Sequence, residues 1–142
     1  MESRDVLTFA GTRPGFERAF RQLRTILDRH NLHPEVRYRC ELVFEEVVSN
    51  IIRHGYDDDR EHRICLVLGV HGNNLELLFE DDGVPFDPRR PMAARPAPPP
   101  DSDNGGRGLR LLRSVADRLD YERTPTAHNH LTVAIKPSLS KR

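Results

Sequence analysis

Between residues 14 and 30 the apolar positions Phe16, Ala19, Phe20, Leu23, Ile26 and Leu27 recur at three- and four-residue steps, while Arg18, Arg21, Arg24 and Asp28 fill the other faces. This is the stripe of an amphipathic helix with one side on a core. Pro14 suits its first turn, and Gly11 separates it from a short strand over Val6 to Ala10. A second helix is predicted from Pro34 to a stop at Gly55, with Cys40, Val43, Phe44, Val47 and Ile51 as its core stripe. Beside that stripe Leu42, Glu46, Asn50 and His54 step by four, so polar groups border the core there.

The period then changes to two. Arg63 to Val70 and Leu75 to Asp81 read as the strands of a hairpin, joined by a turn containing Gly72, Asn73 and Asn74. In the second strand Leu75, Leu77 and Phe79 share one side, and the same phase puts Asp81 with them, whereas Asp82 falls with Glu76, Leu78 and Glu80. From Val84 to Asn104 seven prolines rule out a regular helix or an interior strand, so this stretch is a long loop of the kind that forms lids or binding loops. Gly105, Gly106, Arg107 and Gly108 lead into a third helix over residues 109–119, with Leu109, Leu112, Val115, Ala116 and Leu119 facing inward. Strands over Asp120 to Arg123 and Leu131 to Lys136 close the chain. Three helices and about five strands in this order predict an α/β (α+β) two-layer sandwich, with the helices on one face of a mainly antiparallel, mixed sheet. A length of 142 residues fits a single domain.

Charge narrows the partners. Lys and Arg number 22, as do Asp and Glu. Neither nucleic acid nor a membrane surface is therefore the expected partner. Arg107, Arg110, Arg113 and Arg118 would make a basic stripe on the third helix; without net charge or interleaved aromatics it reads as a solvated face. No run approaches the roughly 18 apolar residues of a membrane span, and the first residues lack the apolar stretch of a signal peptide, which favours the cytoplasm. Cys40 and Cys65 sit inside apolar segments and read as buried thiols, not as a disulfide. The histidines have no zinc-ligand spacing, and His128-Asn129-His130 is too short a coincidence to mark a nuclease.

Three features carry the chemistry: Glu46 with Asn50 on the second helix, Asp81-Asp82-Gly83 at a strand end, and Gly106-x-Gly108 at a helix start. Singly, each is an ordinary exposed pair, turn or hinge. In this order, with a loop between the second and third, they resemble the boxes of the GHKL (Bergerat-fold) ATPases, and within them the small anti-sigma-factor serine/threonine kinases of bacterial partner switching. ELVFEEVVSNIIRHGY is similar to that family's N box, EDDGVPFDP to its first glycine box and GGRGLRLLRSVADRLDYER to its second, while NHLTVAIK is similar to its closing strand.

The resemblance implies a Bergerat fold over residues 1–142 that binds ATP or ADP with Mg²⁺ under a lid at about 87–105. Asn50 would hold the metal through its carbonyl oxygen, and Glu46, one turn earlier, would take the proton of an incoming hydroxyl. Asp81 would accept a hydrogen bond from the adenine amine. Gly83 would let the backbone pass close to the base. Gly106 and Gly108, with Arg107 and Leu109, would meet the phosphates at a helix N-terminus. Thr132 matches a threonine that supports the adenine site in relatives, although it alternates away from Leu131 and Val133. The implied partners are a sigma factor, which the chain would sequester, and a STAS-type antagonist, whose serine or threonine it would phosphorylate; the family also suggests a homodimer. Rival readings are a nucleotide-dependent switch without phosphotransfer, the catalytic domain of a sensor histidine kinase and a stand-alone ATPase.

Overall fold

The computed structural model describes residues 2–56, 60–89 and 105–138, and only the backbone of residues 2 and 105–109. Five strands form one sheet: β1 (Glu2–Ala10), β2 (Arg63–His71), β3 (Asn74–Asp81), β4 (Arg118–Arg123) and β5 (Asn129–Ile135), in the order β1-β2-β3-β5-β4. The helices are α1 (Arg13–Asp28), α2 (Pro34–His54) and α3 (Gly105–Val115). All four pairings are antiparallel. β3 and β4 run in the same direction, but β5 lies between them, so the expected mixed sheet acquires no parallel pair.

Strand alternation decides what is buried. Leu7 and Phe9, then Ile64, Leu66, Leu68 and Val70, then Leu75, Leu77 and Phe79, then Leu131, Val133 and Ile135 all lie on the helix side. Phe44 of α2 sits at the centre of the core, with the rings of Phe9, Phe16, Phe20 and Phe79 at 5.6–6.5 Å between centroids. Burial of these apolar groups is the main force holding the helices on the sheet.

Both long helices start as their sequences predict. Thr12 caps α1 by accepting a hydrogen bond from the Gly15 N–H at 3.1 Å, with Pro14 in the first turn. Gly15 also lets α1 press onto the end of β1, where a Cβ would stand 2.1 Å from the Ala10 carbonyl oxygen. In α2, His33 Nδ1 accepts from the Glu35 N–H at 3.1 Å, and the Gly55 N–H closes the helix on the Ile51 carbonyl at 2.8 Å.

Three expectations are corrected. α3 begins at Gly105 and stops at Val115, so Ala116 lies past its end and Leu119, with Arg118, belongs to β4. The reason is tertiary: Arg39 of α2 captures the Val115 carbonyl at 2.8 Å, and the Asp117 N–H turns to the Ala134 carbonyl of β5 at 2.8 Å. The four arginines consequently do not share one helix. Cys40 is buried, and burial pushes its thiol up to about 12, but Cys65 is only half-buried on the sheet face away from the helices; both are free. Finally, β1 starts four residues before the expected strand, because its polar first half still pairs in register with β2 from Glu2↔His71 onward. Most of the predicted lid, residues 90–104, lies outside the described residues.

Candidate functional site

The sheet register places the site. Asp81, last in β3, pairs with Asn129 of β5, which pairs with Arg123 of β4. This polar row continues the buried face where the apolar rows stop. α2 runs over the same end of the sheet, and its last turns supply Val47, Asn50, Ile51 and His54 to a pocket. Phe79 and Leu131 form its floor; Val84, Phe86 and Pro88 follow from β3, and Leu112 of α3 and Tyr121 of β4 complete the lining. The walls are largely apolar, with a few polar groups converging, as is usual for small-molecule sites.

Asp81 is 5% exposed. Its Oδ2 accepts from the Gly83 N–H at 2.8 Å and from Asn129 Nδ2 at 3.3 Å. Oδ1 has no hydrogen bond among the described residues. Burial pushes this carboxyl above its ordinary value; the Gly83 and Asn129 hydrogen bonds pull it down, Asp82 pushes it up and Arg123 pulls it down. Asp82 points the other way, exposed, with its Oδ1 2.8 Å from His62 Nδ1. His62 in turn stacks on Tyr56 at 4.0 Å. The strand phase thus separates the two neighbouring carboxylates as the alternation predicts.

Asn50 is also buried, at 6% exposed, and lines the pocket with no hydrogen bond to its side chain among the described residues. A buried amide in that condition is costly unless a ligand or water meets it. Glu46 lies one turn earlier on α2, half-buried, and is not among the residues lining the pocket. His54 lines it and is exposed.

Gly83 is tied to the helix above it. A Cβ there would stand 2.5 Å from the Gly55 carbonyl oxygen and 2.8 Å from Asp81 Oδ2, and the next N–H, of Val84, donates to that same carbonyl at 2.8 Å. Only glycine permits so close an approach of the strand end to the C-terminus of α2. The segment beyond it is also pinned. Phe86 N–H donates to Tyr121 Oη at 3.3 Å, Arg89 pairs with Asp87 at 2.9 Å, and Arg113 of α3 donates to the Pro88 carbonyl at 3.2 Å.

Gly106, Arg107, Gly108 and Leu109 lie in the first turns of α3, where the free N–H groups of a helix start are found. Leu112, one turn beyond Gly108, reaches the pocket. Thr132 is not brought to the site: it pairs with Leu78 and Asp120 on the opposite face of the sheet, because β5 alternates and Leu131 takes the inward position. The residue that β5 delivers to Asp81 is Asn129, three positions earlier, together with Tyr121 and Arg123 of β4. The alternation that turns Thr132 outward also turns Asn129 inward, so the signal was present in NHLTVAIK.

A family model described as the histidine kinase-like ATPase domain matches residues 15–135. The chain belongs to this family. It is 32% identical over 101 residues to the serine/threonine-protein kinase BtrW of Bordetella bronchiseptica, covering 69% of each chain. It is 25% identical over 105 residues to the serine-protein kinase RsbW of Bacillus subtilis, covering 70% of this chain and 63% of that protein. Among solved structures, the RsbU and RsbW domains of Rv1364c from Mycobacterium tuberculosis match 94% of this chain and 32% of that one, with a TM-score of 0.65 at 14% identity, a likeness of fold. Among the described residues no helix of this family member is long and apolar enough to cross a membrane.

Proposed function

We propose that the chain is a cytoplasmic ATP-dependent serine/threonine protein kinase that also acts as an anti-sigma factor. In this reading residues 1–142 form one ATP-binding domain with its lid at about 87–105. It phosphorylates a STAS-type antagonist, sequesters a sigma factor and pairs as a homodimer. The observation that carries the nucleotide part is the pocket between α2 and the end of β3. There a buried amide, Asn50, has no protein hydrogen bond among the described residues, and a buried carboxylate, Asp81, receives both of its protein hydrogen bonds on one oxygen. These residues fit Mg-ATP. Oδ1 of Asp81 is suited to an exocyclic amine, and the Asn50 carbonyl oxygen to a hard cation such as Mg²⁺. The helix start at Gly106 to Leu109 suits phosphate.

Mg-ATP, when bound, supplies the phosphoryl group and the charge that neutralises its oxygens. Catalysis by the chain itself is then mainly positioning. With the nucleotide bound, Asp81 would orient the base, Asn50 would hold the metal, and Glu46 would take the proton of the acceptor hydroxyl, whose oxygen would bond to the γ-phosphorus as the bond from that phosphorus to ADP breaks. The names of the relatives and the family match support a kinase.

A second reading, a nucleotide-dependent switch without transfer, draws on one observation: Glu46 does not line the pocket that Asn50 lines. Transfer of labelled phosphate from ATP to a STAS-domain antagonist separates the two. Glu46→Gln should lower transfer by roughly two or more orders of magnitude, the usual contribution of a general base, with nucleotide affinity retained. Glu45→Gln, exposed on another face of α2, should leave transfer unchanged. Full-rate transfer in Glu46→Gln removes the assigned base, and no transfer by the wild type to any such antagonist favours the switch.

A further inference from the structure

The row Asp81–Asn129–Arg123 contains a group with no part in the reading above. Asn129 is 6% exposed, and its side-chain amide is fully committed on both sides. Nδ2 donates towards three oxygens: Asp81 Oδ2 at 3.3 Å, the Gly83 carbonyl at 3.4 Å and the Val84 carbonyl at 2.9 Å. Oδ1 accepts from Tyr121 Oη–H and from Arg123 Nη1 at 3.1 Å. A guanidinium only donates and an ionised carboxylate only accepts. Flipping the amide would therefore set its N–H against Arg123 and its oxygen against Asp81 and two carbonyls. The orientation is fixed by the chemistry around it.

That orientation determines which oxygen of Asp81 the protein uses. Asn129 and the Gly83 N–H both bind Oδ2, which holds the carboxylate plane and leaves Oδ1 without a protein hydrogen bond among the described residues, in a side chain that lines the pocket. The same amide ties the carboxylate to the Gly83 and Val84 carbonyls, and Arg123 Nη1 clamps the Gly83 carbonyl at 2.7 Å. Tyr121 joins this cluster to Phe86 by accepting its N–H at 3.3 Å. Carboxylate and strand end are thus held as one unit by a side chain from the neighbouring hairpin.

We infer that Asn129 is the positioning residue of the purine-reading carboxylate, and that the Asn129–Tyr121–Arg123 cluster sets the preference for a 6-amino over a 6-oxo purine nucleotide. This rests on the assignment of the pocket to ATP and deepens it. A 6-amino group donates to Oδ1, whereas a 6-oxo group meets it acceptor to acceptor, and the discrimination survives only while the carboxylate cannot turn away. Consistent with this, the Asn129 hydrogen bond favours the ionised, accepting form of Asp81 against the burial that opposes it.

The test is calorimetric titration of the full-length chain with Mg-ATP and with Mg-ITP, alongside thermal melts to verify folding. Wild type should prefer ATP by about tenfold or more, the scale set by leaving one buried polar group unmatched. Asn129→Ala should bring the ATP-to-ITP ratio close to one by weakening ATP while ITP binding holds. Tyr121→Phe keeps the ring and removes one donor to the amide, so it should lower the ratio part of the way. If Asn129→Ala does not fold, Tyr121→Phe carries the same comparison. Equal weakening of both nucleotides, or an unchanged ratio in both variants, means a merely structural role and overturns the inference. A wild type that shows no preference, or whose preference Asp81→Asn leaves intact, overturns the purine assignment itself and the inference with it. Thr132→Val, on the opposite face, should leave the ratio at the wild-type value.

Discussion

Asp81 costs the fold something to keep ionised. Burial raises its folded pKa above the 3.8 of a free side chain. Between that value and the raised one the folded state holds a proton that the unfolded chain has already released. Stability therefore falls as pH rises through this window, and the loss persists at neutral pH. Asp81→Asn removes the titration while its amide oxygen can still accept the Gly83 N–H. In urea denaturation the variant's advantage over wild type should open as pH rises above about 3.8 and then level off, while nucleotide binding is lost. A variant that is less stable at pH 7 and matches wild type only in acid would reverse the sign and refute the burial cost. This carboxylate was readable in the sequence because strand alternation alone separates positions 81 and 82. Asn129 is not legible in the same way: between two histidines it has the look of a chance motif, and Thr132 is the residue that matches the family's threonine. What singles Asn129 out is its register partner, Asp81, which a single strand's pattern does not supply.

At the scale of elements, the starts of α1 and α2, the hairpin and the core stripes of those two helices followed from periodicity and capping, whereas the bounds of α3 did not. Apolar residues continue at helical spacing through Leu119, yet the helix stops at Val115 because a partner 76 residues away in sequence takes its carbonyl. Arg39 donates to the Val115 carbonyl at 2.8 Å, to the Lys136 carbonyl at 2.6 Å and to Asp117 Oδ2 at 2.7 Å, and the Lys136 N–H returns to the same carboxylate oxygen at 2.6 Å. One side chain thus fastens α2 to the end of α3 and to the end of β5. Arg39→Met should cost about 2 kcal/mol in urea denaturation, from several acceptors losing a half-buried charged donor at once. Arg39→Lys should recover little, because three separate nitrogens each reach a different acceptor and an ammonium does not present that fork. Full recovery by lysine would mean that charge alone matters there. The penalty should fall on folding more than on nucleotide affinity, since among the described side chains α3 meets the pocket through Leu112, one turn before the fastened end.

At the scale of the whole molecule, the pocket exists only when distant parts of the chain meet. Its lining comes from the last turns of α2 with Gly55, from β3 and the segment after it, from Leu112 of α3, and from Tyr121, Asn129 and Leu131 of the last hairpin. An unfolded chain has no such site, so a nucleotide that binds here binds the native state alone and must raise the unfolding temperature by mass action. At a concentration of Mg-ATP about a hundred times its dissociation constant the gain is about 2.7 kcal/mol, or roughly 5–10 °C for a domain of this size. The variants should separate two quantities that a single melting temperature confuses. Asp81→Asn should melt at or above the wild type without ligand and show little shift with it. Asn50→Ala should lose the part of the shift that depends on Mg²⁺. Glu46→Gln should keep the full shift, because a proton acceptor contributes to the transition state and not to ground-state binding. A wild type with no shift in saturating Mg-ATP would refute the nucleotide assignment of the pocket. A shift lost in Glu46→Gln as fully as in Asp81→Asn would make Glu46 a binding residue and remove it as the base.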